Sequence, residues 1–415
     1  MEAAAPSLWR NRAFLRLWFA GIVSGVGGQV TALALPLTAV VALDATPADM
    51  GLLRGAGIVP DLLLVLFAGV WVDRVRRQTI LIGAELGHAL LLGSIPLAVL
   101  AGGPTLPHLW FVAFAVGTLA VFASLASISI LPALVPKAQL VEANSRMTVT
   151  GAVLTIAGPN VAGGLVQLVG APKAILVDAV SHVLSALSLR GVGRSEVVER
   201  RAGGTSTWQE IGEGVRELVR TPLLRSLTLS ISVGAFGLGM QSTVQLLFLV
   251  NELGFSPALV GVAAGCGGAG SLIGAAGAGR VARRLGTGPT IVLGNAVWAA
   301  GGLIVPLAGL GGGDLLVVAA GQAVASAGGS LWGVTQMSLR QAITPVGLFA
   351  RATAARRIPM SGMQLAGAML GGMLGGAIGL RATLVVGALG LVAAALLLVL
   401  SPVRAVRDVP DAAAT

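Results

Sequence analysis

Apolar residues run along this chain in long blocks, each closed by charges or turn residues. The blocks fall near 14–43, 50–71, 79–101, 108–131, 146–169 and 173–190, then 223–250, 256–279, 289–310, 314–338, 354–378 and 381–400. About 20 apolar residues in a helix cross the hydrocarbon of a bilayer. Lipid leaves the backbone no partner outside a helix or a closed barrel. The blocks are too long and too uniformly apolar for barrel strands. The pattern predicts an all-α membrane protein with twelve transmembrane helices.

Composition agrees. Of 415 residues, 55% are hydrophobic and 11% charged, against roughly 25% charge in soluble proteins. The first block follows Arg10, Arg12 and Arg16 and is too long for a signal-peptide core, so it reads as a span. The 60 glycines suit helices packed closely in lipid. Cys266, the one cysteine, excludes an internal disulfide and a cysteine metal site. The net charge of +10 does not point to nucleic acid, because the basic residues sit singly or in short clusters between apolar blocks. With the N-terminus inside, 24 of the 27 basic residues fall on the cytoplasmic side. Only Arg54, Lys173 and Arg381 fall on the other. Both termini are therefore expected in the cytoplasm, and the chain in the inner membrane.

The longest hydrophilic stretch divides the spans six and six. This gives an N-terminal bundle (1–190), a linker (191–222), a C-terminal bundle (223–402) and a cytoplasmic tail (403–415). Within the linker, Thr207 to Glu210 reads as a capping box. Ile211, Val215, Leu218 and Val219 then share one helical face, predicting a short amphipathic helix on the inner membrane surface.

The two halves look related. Gly69-Val-Trp-Val-Asp73-Arg74-Val-Arg76-Arg77 follows span two, and Gly279-Arg-Val-Ala-Arg283-Arg284-Leu-Gly286 follows span eight, 210 residues later. Parallel six-span repeats are the architecture of major facilitator transporters. The first turn resembles that superfamily's signature loop through Gly69, Asp73, Arg74 and Arg77, with Arg76 in place of a usual glycine and a less tight turn expected. The resemblance implies two six-helix bundles and a cytoplasmic gate at this loop. In the second copy Arg283 replaces the aspartate, so the gate would be asymmetric. Gly158, Pro159 and Gly163 in span five resemble the superfamily's antiporter motif, which implies proton-driven export. An ordinary packing kink is the alternative. Asn11 to Trp18, Leu131 to Pro136 and Thr221 to Arg225 resemble the branch with the enterobactin exporter and macrolide efflux proteins. Relatives often carry an aspartate where this chain has Gly28.

Charges inside a membrane cost about 2.5–3.5 kcal/mol each on insertion scales, so each is a functional candidate. Asp61 lies near mid-span and is the first candidate for proton coupling. Asp178 and His182, four residues apart on one helical face, are the second. Glu85 is a third, although a structural tie to Arg76 or Arg77 is the favoured reading there. The resemblance implies a cavity lined by spans one, four, seven and ten. Its polar candidates are Gln29, Thr31, Ser124, Ser127, Gln241, Gln245, Trp332 and Gln336, each equally able to bond a neighbouring helix. The glycine stripe Gly367, Gly371, Gly375 and Gly379 reads as helix packing. No Walker loop, metal spacing or catalytic triad is present, so no enzyme activity, cofactor or metal is expected. The leading expectation is a monomeric, proton-coupled exporter of hydrophobic or amphipathic small molecules, such as a drug, siderophore or secondary metabolite. A nutrient importer or facilitator on the same fold, and a non-transporting scaffold or sensor, are the alternatives.

Overall fold

The computed structural model describes residues 8–72, 75–136, 139–192 and 207–408. These residues form thirteen α-helices and no strand. Twelve are long: α1 (Arg12–Leu37), α2 (Pro47–Val72), α3 (Arg77–Leu100), α4 (Leu106–Leu134), α5 (Leu140–Val169) and α6 (Ala171–Leu189), then α8 (Pro222–Leu247), α9 (Pro257–Leu285), α10 (Thr287–Ile304), α11 (Asp314–Ile343), α12 (Val346–Ala377) and α13 (Leu380–Val399). The short α7 (Thr207–Arg220) lies between the two sets. Ten of the long helices are long and apolar enough by themselves to cross a membrane. Of the other two, α2 continues past its charged first half into the apolar block Leu62-Leu-Leu-Val-Leu-Phe67, and the many glycines of α12 dilute its hydropathy. Large apolar side chains such as Leu90, Leu168 and Leu316 are more than three-quarters exposed, as lipid-facing residues are.

Several helix ends follow from local chemistry. Asn11 caps α1 by accepting from the amides of Ala13 and Phe14, both at 3.1 Å, and its own amide donates to the Leu134 carbonyl at 2.8 Å. Single glycines with positive φ join α5 to α6 (Gly170, +84°) and α9 to α10 (Gly286, +93°). Arg76, 210 residues before Gly286, precedes α3 at φ −58° and ψ 123°. Arg76 is extended where Gly286 takes positive φ, so the two equivalent junctions differ in backbone. Asp73 and Arg74 of the signature turn lie outside the described residues.

Two compact units form: residues 1–44 with 59–203, and residues 45–58 with 204–415. The first half of α2 thus groups with the second unit. In the first unit α6 packs on α1 and α3, α5 on α1, and α4 on α3. In the second, α13 packs on α8 and α10, α12 on α8, and α11 on α10. These are the same pairings one repeat later. Helix starts also recur at 210 residues: 12 and 222, 47 and 257, 77 and 287. Both α1 and α8 run directly into a five-residue π-helical turn, Thr38–Ala42 and Phe248–Glu252.

In the second unit Gly367, Gly371 and Gly375 lie along α12 against Phe236, Met240 and Val244 of α8. A Cβ on Gly371 would fall 2.7 Å from the Met240 Cα. The fourth expected member of this stripe, Gly379, lies beyond the end of α12 and turns the chain into α13 at φ +89°. Helix α7 packs on α12 and α8: Leu218 is buried with Leu224, Ala352 and Ala355, and Glu213 pairs with Arg351. The side chains of the expected capping box at 207–210 lie outside the described ones. After α13 the chain folds back on α10. The Arg407 and Val406 carbonyls accept from the amides of Thr287 (2.9 Å) and Gly288 (2.7 Å), the Arg407 side chain donates to the Leu285 carbonyl (3.0 Å), and Val403 is fully buried.

Candidate functional site

Four titratable side chains converge in the first unit, where α6 packs against α1 and α3. Asp178 and His182 lie one turn apart on α6, and Glu85 and His88 one turn apart on α3. His182 bridges the two carboxylates. Its Nδ1 is 2.5 Å from Glu85 Oε2, and its Nε2 is 3.3 Å from Asp178 Oδ1. Ser181 donates to Asp178 Oδ1 at 3.2 Å, and Thr31 on α1 faces the same carboxyl. His88 stacks on His182 with ring centres 4.7 Å apart, and its Nε2 meets the Val116 carbonyl of α4 at 3.2 Å. Asp178 is 1% exposed.

Neutral imidazole has one N–H and imidazolium has two. With a carboxylate at each ring nitrogen, His182 can satisfy both only as imidazolium, or by accepting a proton from a protonated carboxyl. The group therefore holds protons jointly. Two carboxylates and one imidazolium leave a net negative charge, and one more proton makes the cluster neutral. Glu85 thus faces His182 rather than the expected tie to Arg76 or Arg77, because α3 turns this face onto α6. Gly27 makes the approach of α1 possible: a Cβ there would lie 2.9 Å from the Asp178 Cα. Among the described residues no cluster of histidine, cysteine and carboxylates has the geometry of a metal site.

An apolar groove of about 710 Å³ adjoins this cluster. Gly27 and Ser181 line it together with Ile22, Leu165, Val177 and Val180, and Lys173 lies at its edge.

The other candidates are placed as follows. Asp61 is half-buried on α2. Gln29 packs over Gly158, where a Cβ would meet its Cβ at 2.9 Å. Pro159 lies inside α5, and Gly163 beside it is buried. Ser124 donates to the Val121 carbonyl of its own helix at 2.9 Å. Ser127 and Gln245 are half-buried. Gln241 is buried and donates to the carbonyls of Gly302 and Leu384, both at 3.2 Å, so it ties α8 to α10 and α13. Trp332 belongs to the core of the second unit and packs on Trp298 with ring centres 5.9 Å apart. The Trp332 Nε1, Gln336 Oε1 and Asn295 Oδ1 atoms are buried without a hydrogen-bond partner. Asn295 was not among the expected residues, although an amide inside the block at 289–310 is its signal. Arg77 begins α3, whereas nothing is described of the Gly69 surroundings.

The family model described as transmembrane secretion effector matches residues 3–414. The chain is 28% identical over 280 residues to the uncharacterized MFS-type transporter YfiS of Bacillus subtilis (strain 168), covering 66% of this chain and 65% of that protein. It is also 28% identical over 240 residues to the multidrug efflux pump Tap of Mycolicibacterium fortuitum, covering 54% and 56%. The matches thus span 65% and 56% of the lengths of these curated relatives. The fold is similar to the crystal structure of a bacterial homologue of the iron transporter ferroportin in its inward-facing state. That likeness has a TM-score of 0.76 at 18% identity, covering 95% of this chain and 99% of that one. A structure of the nucleoside transporter NupG is similar with a TM-score of 0.76 at 12% identity, covering 93% and 99%. At such identities these two likenesses concern the fold alone.

Proposed function

The chain belongs to the transmembrane secretion effectors, a family of major facilitator secondary transporters and not of enzymes, and on that premise we propose that it is a proton-coupled exporter of hydrophobic or amphipathic small molecules. The observation that carries this reading is the buried Glu85–His182–Asp178 cluster. Moving a net charge through the hydrocarbon costs about 2.5–3.5 kcal/mol on insertion scales. Taking up one proton neutralises the cluster and lowers the cost of the conformational step. Releasing it on the other side resets the carrier. The open groove beside it is lined by partly exposed apolar side chains such as Val177 and Val180, which suit an apolar cargo. Because Gly27 and Ser181 belong to both groove and cluster, cargo and proton can sense each other there. The sequence resemblance to siderophore and macrolide exporters points to the same cargo class, as does the likeness to a drug pump. The signature turn at Gly69 to Arg77 serves as the gate. The chain lies in the inner membrane with both termini cytoplasmic, and it works as a monomer.

The test is proton-driven uptake into everted vesicles against a panel of drugs and siderophores, alongside cargo counterflow without a gradient. Asp178→Asn and His182→Gln are expected to abolish gradient-driven accumulation and retain counterflow. Asp61→Asn in the same assay ranks the remaining carboxylate. Loss of coupling in Asp61→Asn with Asp178→Asn unaffected would move the proton site to α2.

A further inference from the structure

Where α11 passes to α12, the second unit holds a buried and a half-buried arginine that the transport cluster does not use. Arg340, in the last turn of α11, is 2% exposed. Its Nη2 donates to Thr353 Oγ1 at 2.8 Å, and its guanidinium lies 5.5 Å from the centre of the Phe349 ring. Its Nε has no acceptor. Arg356 lies on α12, three residues beyond Thr353, and both its Nε and its Nη1 are buried without an acceptor. Thr353, which Arg340 reaches, and Arg356 lie one turn apart on α12, so both guanidinium groups approach the same stretch of that helix.

The charges described around them do not neutralise them. Glu213 of α7 is taken by Arg351, and Glu217 accepts from Thr221 at 2.8 Å. Among the described residues neither Arg340 nor Arg356 makes an ion pair. Removing guanidinium charges from water without a counter-charge is costly, as is leaving buried N–H groups unmet. A bound anion would remove both penalties.

We propose that Arg340 and Arg356 form a binding site for a phosphate-class oxyanion at the α11–α12 junction. The planar forks of two arginines match the several oxygens of a phosphate and grip them bidentately. Three unmet nitrogens, the Nε of each arginine and the Nη1 of Arg356, supply the donors. The phosphate can come from a phospholipid headgroup or from solution. An apolar groove of about 510 Å³ runs past Ala355 and Ile358, the neighbours of Arg356, under Val215, Leu218 and Val219 of α7. It gives an acyl chain a place beside the headgroup.

The full-length protein in neutral detergent is titrated with phosphatidylglycerol, with phosphatidylcholine and with inorganic phosphate, reading the thermal midpoint and the bound mass. The wild type is expected to bind phosphatidylglycerol more tightly than phosphatidylcholine. Arg356→Gln should weaken phosphatidylglycerol binding by about tenfold or more, the scale of a lost charge-assisted contact. Arg356→Lys keeps the charge without the fork and should fall between. Arg404→Gln, at an exposed position, should bind as the wild type does. Competition by inorganic phosphate marks a site open to soluble phosphate, and failure to compete marks a lipid headgroup site. Either result supports the proposal. Equal binding of both anionic probes by the wild type and Arg356→Gln overturns it.

Discussion

Two adjacent glycines of α1 have opposite roles. A side chain at 27 would press on Asp178, whereas a Cβ at 28 meets nothing within 4 Å. Gly27→Ala is therefore expected to cost about 1–3 kcal/mol, the usual penalty of overpacking, seen as a lower thermal midpoint. Gly28→Asp should fold normally and bring in the acidic group that relatives often carry. Comparing efflux of cationic and neutral dyes checks it: the variant is expected to favour the cations, and an unchanged preference would count against a cargo-facing position. Of the two roles open to Gln241 in the sequence, its bonds to α10 and α13 match the tie to neighbouring helices. Gln241→Leu leaves two carbonyls unmet and should cost about 1–3 kcal/mol, a loss of stability with cargo preference intact. The Glu85–His182–Asp178 cluster was half legible at this scale. The four-residue spacing of Asp178 and His182 is a helix property and could be read directly. Glu85 is 97 residues away from His182, and only the packing of α3 on α6 reveals the pair.

At the scale of elements, the long helices were readable because lipid demands apolar length, but their ends were less so. Helix α5 starts at Leu140, before the apolar block at 146, and α12 starts at Val346, before the block at 354. Both continue as helix through polar turns outside the apolar stretch, where hydropathy gives no signal. The amphipathic α7 was expected to face lipid. Its apolar side is divided instead, with Leu218 buried against α8 and α12 and Val219 57% exposed. Leu218→Ser should therefore loosen α7 and raise its protease sensitivity far more than Glu213→Gln, since exposed ion pairs contribute only about 0–1 kcal/mol. The α8–α12 contact allows little growth. Gly371→Val is expected to destabilise the second unit by at least about 1–3 kcal/mol, measured by thermal unfolding, while Gly376→Val, which has open space at its Cβ, should be tolerated.

For the whole molecule, the 210-residue repeat seen in one basic turn extends to helix starts, packing pairs and the π-helical turns after α1 and α8. The uneven distribution of basic residues makes a topological prediction. In a Cys266→Ser background, a cysteine at position 103 should react with a membrane-impermeant maleimide added to intact cells. One at position 408 should react only after the cells are opened. The reverse pattern would invert the orientation. The backbone bonds from Thr287 and Gly288 to Val406 and Arg407 bear on how the protein is made. Thr287 and Gly288 leave the ribosome long before the carbonyls that satisfy them. The α9–α10 hairpin is therefore made with its turn unsealed, and closure waits until Val406 and Arg407 have followed α13. Loss of Val406 and Arg407 would be felt at the α9–α10 turn, made long before them.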